Sequence, residues 1–398
     1  MKKLKLLLSL AVLLSCTSAF SQIKILFDNT KAEQAGNADW VISNSSSPVQ
    51  VPTPSQSLIT SSTPETYWSG ALSAWGVDCV KKGYYVETLP ASGSITYGSS
   101  SNAQDLSKYQ VFIVCEPNTQ FTATEKTALM NFVKNGGGLF MISDHTVSDR
   151  NGDGWDSPAI WNDFLTTNSV QANPFGISFD LANISLTSTN LATIANDSIL
   201  NGAMGPCAKV MWSNGTTMTL DKTKNPTAVG YVFNTGASTT GSTGVMFATA
   251  KYGNGKVAAI GDSSPSDDGT GGSGNSLYNG YTGDVGVNHQ NILMNATIWL
   301  ATHKPKVLSA VNAVETFGLN VYPNPVTTGQ LTVDYTSTLP VKAQILDLTG
   351  KTIQSVDLAS DSSGKQIVDV RGIRSGAYLC RITNGSAFET RLVVITNR

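Results

Sequence analysis

Residues 143–157, SDHTVSDRNGDGWDS, place four aspartates, a histidine and a tryptophan in a fifteen-residue stretch of a chain that is only 14% charged. Asp149, Asn151 and Asp153 alternate along the chain and Gly154 follows them. This is the D-x-N-x-D-G opening of a calcium loop, in which hard oxygen donors surround the ion and the glycine makes the sharp turn. The Trp155 carbonyl supplies the next donor in that pattern, and Asp156 is a further carboxylate within reach. Position 12 of the loop is Ile160 and not the usual bidentate glutamate. The cage must then be closed by Asp156, Asp163, water or another part of the chain. The alternative is a solvated Asp/Gly turn.

Beside this loop, Asp144 and His145 form a pair suited to proton transfer. His145 is the candidate general base, with Asp144 as metal ligand or orienting carboxylate. A second acidic segment, GDSSPSDDG at 261–269, offers Asp262 for metal binding or base work, and His289 follows it at the start of a helix. Ser264 with a histidine and an aspartate has the composition of a catalytic triad, but GDSSP lacks the G-x-S-x-G elbow. Asp267 and Asp268 read equally well as part of a solvated loop. Trp155, Trp161, Tyr278 and Tyr281 lie close to these carboxylates in sequence. Aromatic faces beside carboxylates suit sugar rings, and carboxylate pairs are the equipment of glycosidases. Ordinary packing is the competing reading for Trp161, and a core or capping role is the competing reading for the histidines.

The elements that must position these residues alternate between short apolar strands and helices. Strands are expected at 23–27, 84–89, 110–115 and 139–142, and a hairpin at 245–250 and 256–260 turns on Tyr252-Gly253-Asn254-Gly255. Helices are expected over 65–82, after the Thr122/Glu125 capping box, and from about His289 to Thr302. Between about 145 and 228 the pattern loosens into an inserted loop region. Apolar strands separated by helices predict an α/β fold, a buried parallel sheet with helices on both faces. Ligands in such sheets sit beyond the carboxyl ends of the strands. Asp28-Asn29, Glu116, Asp144-His145 and Asp262 all fall there, so Glu116 joins Trp155, Trp161 and Tyr281 as a candidate substrate-binding residue.

Residues 111–145, VFIVCEPNTQFTATEKTALMNFVKNGGGLFMISDH, resemble the class I glutamine amidotransferase-like superfamily, including its ThuA-like branch. The resemblance implies a flavodoxin-like core. The family's G-x-C-x-G nucleophile elbow is absent and Cys115 sits in Val-Cys-Glu, so the resemblance carries over the fold and not amidotransferase chemistry.

The two ends speak for export. Three lysines, the apolar run Leu6–Leu14 and a small-residue end read as a signal peptide over 1–21, cleaved before Gln22. Leu13-Leu14-Ser15-Cys16 also has the form of a lipobox. After a linker at 306–318, residues 319–398 read as short alternating strands, a small β-sandwich. Tyr322-Pro323-Asn324-Pro325, Asp347-Leu348-Thr349-Gly350-Lys351, Asp369-Val370 and Ser375-Gly376-Ala377-Tyr378 resemble the type A sorting domain of the type IX secretion system. That likeness implies handling by the secretion machinery and a secreted or cell-surface destination; no segment after the leader approaches the length of a membrane span. The chain carries −2 overall. Taking away the three leader lysines and the net +2 of residues 319–398 leaves −7 on the core, which gives no support to nucleic acid as partner. The spacings of Cys79, Cys115, Cys207 and Cys380 match no zinc pattern or small disulfide scaffold.

Together these features predict a secreted hydrolase assisted by a divalent metal, calcium first, with an extracellular glycan or other polymer as substrate. Asp144, His145, Asp262 and His289 would be catalytic. Asp149, Asn151, Asp153, Trp155 and Asp156 would hold the metal. The alternatives are a non-catalytic, calcium-stabilised glycan-binding module and a metal-dependent phosphodiesterase or nuclease.

Overall fold

The computed structural model describes residues 22–43, 50–271, 278–302, 317–336, 341–348, 350–358, 363–383 and 388–396. The expected signal peptide and most of the expected linker lie outside the described residues. The chain divides into two compact units between Lys306 and Val307.

The first unit is built on β1 (Lys24–Asp28), β2 (Tyr85–Leu89), β3 (Val111–Cys115) and β4 (Gly138–Ile142). Three helices, α1 (Ser73–Lys81), α2 (Ala123–Lys134) and α3 (Ser157–Thr167), interleave with them or follow them. The chain continues through β5 (Ile177–Phe179), β6 (Ile184–Ser188) and three two-residue strands, β7 (Asn190–Leu191), β8 (Asn201–Gly202) and β9 (Gly205–Pro206). It closes with β10 (Val210–Gly215), β11 (Met218–Leu220), β12 (Val229–Phe233), β13 (Val245–Tyr252), β14 (Gly255–Ile260) and α4 (His289–Ala301).

The main sheet is mixed. Its path runs β2-β1-β3-β4-β14-β13-β11-β5, with β12 and β7 paired off β13. From β2 to β14 all neighbours are parallel, and from β13 onward all are antiparallel. The expectation of a purely parallel sheet is therefore corrected. The hairpin at Gly253 reverses the chain, and the stretch read as inserted loop supplies α3, strand β11 with β5 beyond it at the end of the sheet, and the β6–β10 ribbon. Long-range pairing decided that geometry, because strands this short carry little periodicity of their own.

Alternation along the strands sends residues to two cores. Ile25, Phe27, Ile113 and Phe140 pack with α1 and α4 on one face, and Leu26, Phe112, Val114 and Met141 pack with α2 and α3 on the other. Helix α2 starts at the expected capping box. The Thr122 hydroxyl accepts from the Glu125 amide, and Glu125 accepts from the Thr122 amide.

In the second unit, β15 (Asn320–Tyr322), β16 (Gln330–Thr336) and β19 (Ser363–Asp369) form one antiparallel sheet. The other contains β17 (Lys342–Leu346), β18 (Thr352–Asp357), β20 (Gly376–Thr383) and β21 (Phe388–Ile395). Leu331 and Val333 from the first and Ile345, Cys380 and Val393 from the second share one core. No helix among the described residues is long and apolar enough to cross a membrane.

Candidate functional site

The carboxyl ends of β1, β3, β4 and β14 do converge. Asp28, Glu116, Asp144 and Asp262, each at or just past its strand, are all almost fully buried. Glu116 sits on the turn from β3 toward α2 with φ of 47°, a left-handed conformation that a non-glycine residue adopts only under constraint. The strong cation set among them is Arg150. Its Nε and Nη2 bind Glu116, the latter at 3.2 Å, and Nη2 reaches Asp144 Oδ2 at 3.3 Å. Nη1 donates to Asn37 Oδ1, and the guanidinium carbon lies 6.0 Å from the Trp40 ring centre. The Ser263 hydroxyl donates to Glu116 at 2.9 Å. Asp262 is held from below by the Ser264 and Ser213 amides at 2.8 and 2.5 Å.

One guanidinium cannot neutralise three buried carboxyls, so protons must make up the difference. Burial, then the charges of Glu116 and Asp262, push Asp144 well above the carboxylate range. Arg150 opposes this, and a hydrogen bond to Glu116 keeps the proton in place. Burial carries Asp262 to about 7 against the pull of its amide donors.

A cavity of about 260 Å³ opens over this cluster, walled by Asn37, Trp40, Asp144, His145, Arg150 and Asp267, with Ser213, Asn214, Ser263, Ser264 and Tyr278 completing it. In the neutral His145 ring, Nδ1–H donates to the Thr146 carbonyl, so Nε2 carries the lone pair. Asp267, for which a solvated loop is an equal reading of the sequence, is buried. Burial lifts it to about 8 although the Gly269 and Tyr278 amides donate to it. The Trp40 indole N–H is buried without a partner among the described residues.

The calcium-like loop is folded onto its own amides. Asp149 accepts from the Asp153 and Gly154 N–H groups, Asn151 from Asp153, and Asp153 from Trp155. Asp156 caps α3 through the Ala159 amide and takes the Val147 amide on its other oxygen. No three His, Cys, Asp or Glu side chains among the described residues come together as a metal-holding group. What the loop does position is Arg150, the residue between two of the expected ligands.

Other expected site residues lie elsewhere. Trp161 is fully buried, donates to the Ile142 carbonyl at 2.9 Å and packs on Phe121, Phe164 and Phe179. Tyr281 is buried with its hydroxyl on Asp78 at 2.9 Å. Trp155 rests, half-buried, against the α2–α3 core. His289 is also a core residue: Nδ1–H donates to the Gly280 carbonyl and Nε2 accepts from the Met211 amide, and burial lowers its pKa. Both ring nitrogens are spent, so it has no lone pair for catalysis.

Arg150 was missed because it fell on a variable position of the calcium motif. Its signal was in plain view, since it is the only arginine before Arg371. Trp40 and Asn37 had no local signal, because they reach the cavity from the loop after β1.

Among known proteins, three solved structures share a distant likeness. The mmIFT52 N-terminal domain aligns at 14% identity and a TM-score of 0.42, over 70% of this chain and 97% of its own. Two proteins of Salmonella typhimurium, titled cytoplasmic proteins STM3548 and STM1381, align at 13% and 15% identity with TM-scores of 0.39 and 0.37. They cover 70% and 71% of this chain, and 98% and 100% of their own. At these scores the likenesses carry no argument. No curated protein matches the chain, and no comparison bears out the amidotransferase-like resemblance of the core. Residues 320–396 match the family described as the secretion system C-terminal sorting domain. The second unit is thus a sorting domain handled by type IX secretion machinery, and the chain is an exported protein, secreted or held at the cell surface.

Proposed function

We propose that the first unit is an extracellular hydrolase whose site is the strand-end cavity, with a polysaccharide as its substrate class. The observation that carries this reading is the pairing, on one cavity wall, of a carboxyl held protonated and an imidazole with an open lone pair: Asp144 and His145. A proton-carrying carboxyl beside an imidazole nitrogen is what acid–base hydrolysis requires. His145 Nε2 takes a proton from water as the water oxygen bonds to the acetal carbon. The carbon–oxygen bond to the leaving group breaks, and Asp144 gives that oxygen its proton. Arg150 then faces the Asp144 carboxylate and stabilises it. Hydroxyls and amides of Ser213, Asn214, Ser263 and Asn37, with Trp40 and Tyr278 as apolar surfaces, suit a polyhydroxyl ring. The excess of carboxyls disfavours a phosphodiester.

The order β2-β1-β3-β4-β14 of the parallel half is that of flavodoxin-like sheets, and it supports that reading of the core. Calcium on the 149–155 loop would fix the backbone carrying Arg150, and the chemistry above uses no metal.

The test is product release by the full chain from a panel of neutral and acidic polysaccharides, with and without EDTA. Turnover is expected to survive EDTA and to fall by about 10²-fold or more in His145→Gln and Asp144→Asn. Glycan binding without turnover would favour the binding-module alternative. Turnover lost to EDTA and restored by calcium would place calcium at the loop, and turnover unchanged in His145→Gln and Asp144→Asn would refute the metal-free acid–base chemistry.

A further inference from the structure

The chain between β1 and residue 43 forms one wall of the cavity through Asn37 and Trp40. Asn37 accepts from Arg150, and Gly36, at φ of 62°, packs so closely on Arg150 that an added Cβ would meet its carbonyl oxygen at 3.2 Å. What holds this wall is therefore part of what holds the site. Within it, Asn29 donates to Gln34 and Gln34 to Asp39, both at 2.8 Å, and the Asn118 amide ties the Lys31 carbonyl to the β3–α2 turn at 2.7 Å.

At its root lie two carboxyls with no exposure to speak of, Asp28 and Glu33. Asp28 Oδ1 accepts from the Thr30 amide and hydroxyl at 3.1 and 2.9 Å, and Glu33 Oε2 accepts from the Lys31 amide at 2.7 Å. Asp28 Oδ2 and Glu33 Oε1 have no donor from any other group among the described residues. The two side chains lie within hydrogen-bonding reach of each other, and two carboxyls can bond across that approach only with a proton between them.

We infer that Asp28 and Glu33 are positioning residues which share one proton, and that this proton latches the wall carrying Asn37 and Trp40 onto Arg150. The nearby charges agree. Lys31, the cation beside the pair, spends its ammonium on Glu125 at 2.6 Å. The Cys115 thiol lies close to Glu33, Glu116 and Asp144, and its own pKa is raised by burial. Across the wall, Arg150 is committed to Glu116 and Asp144. Asp39 is engaged by Gln34. Among the described residues, no cation is placed to replace the proton when it leaves. Burial lifts Asp28 to about 6 and Glu33 well above its ordinary range, so the latch is closed at low pH and is lost as the pH rises through the pair's titration.

The role in positioning the site rests on the proposed hydrolase, but its test does not. Amide hydrogen exchange of residues 29–43 in the full chain, corrected for intrinsic rates, is measured between pH 5 and 9 for wild type, Glu33→Gln, Glu33→Ala and Asp28→Asn. In Glu33→Gln the introduced side-chain amide can donate to Asp28 Oδ2 at any pH. Expected are an exchange rate in this segment that rises about tenfold or more with pH in wild type, a flat profile in Glu33→Gln, and lost protection at every pH in Glu33→Ala. If Glu33→Gln follows the wild-type profile, or wild-type exchange is flat, the latch is refuted. Should Glu33→Gln not fold, a flat Asp28→Asn profile supports the latch and a wild-type one refutes it. Absence of turnover on every glycan would refute the proposed hydrolase while leaving these exchange profiles to decide the latch.

Discussion

Replacing Arg150 by methionine is the sharpest perturbation of the site. Methionine keeps an unbranched chain in the place of the aliphatic stem and removes the guanidinium. Glu116 has no exposed surface, while the Arg150 side chain keeps about 19% of its own. The substitution takes the guanidinium from Glu116, leaving it the Ser263 hydroxyl and the Asp144 carboxyl, and takes from Asp144 its opposing cation. Breaking a buried pair from one side costs about 3–5 kcal/mol, because the remaining charge stays desolvated. With about one-fifth of the Arg150 side chain exposed, the lower part of that range, about 3 kcal/mol, is expected at neutral pH. Urea denaturation of the full chain, following the transition of the first unit, reads this as a shift in midpoint at constant slope. Glu116→Gln in the same background should recover most of the loss, and the two single changes should be non-additive by about 2 kcal/mol. A loss under about 1 kcal/mol for Arg150→Met, or additive single changes, would show that Arg150 is a surface residue lying over the cluster and would refute the charge argument.

Two further outcomes follow from the same structure. Asp267 has a folded pKa of about 8 against an ordinary 3.8. Its raised value contributes stability that is fully present below about pH 4 and gone above about pH 8, so urea midpoints should fall less steeply from pH 4 to 8 in Asp267→Asn than in wild type. Parallel curves would contradict that. Trp161→Ala should destabilise the first unit by about 3–5 kcal/mol in the same assay, because it empties a packed aromatic site and takes away one of the two donors to the Ile142 carbonyl, leaving the Glu116 amide. A sugar-stacking Trp161 would instead leave stability unchanged and weaken glycan binding.

The rim itself was legible without coordinates. Apolar strands ending in Asp28, Glu116, Asp144 and Asp262 announce a parallel sheet, and such a sheet brings its carboxyl ends to one edge. The sorting domain was legible too, since its turn motifs are local and its alternation is period two. Helix α2 declared its start through the Thr122/Glu125 box for the same reason: the signal and the structure it encodes are neighbours in sequence.

Local pattern could not say how partners far apart in sequence share a limited set of donors. Arg150 looks like filler in a calcium motif until it meets Glu116, 34 residues away. His289 looks like a base until Met211 and Gly280 take both its nitrogens. Trp161 and Trp155 go to the core interior and its margin because Trp161 lies on the inward side of α3, whereas Trp155 precedes its cap. The antiparallel half of the sheet likewise depends on pairings with no periodic trace in strands of two to eight residues. The sequence alone determined which carboxyls gather at the edge of the sheet. Only the tertiary structure decided which of them keep a proton, because that depends on burial and on the one guanidinium they share.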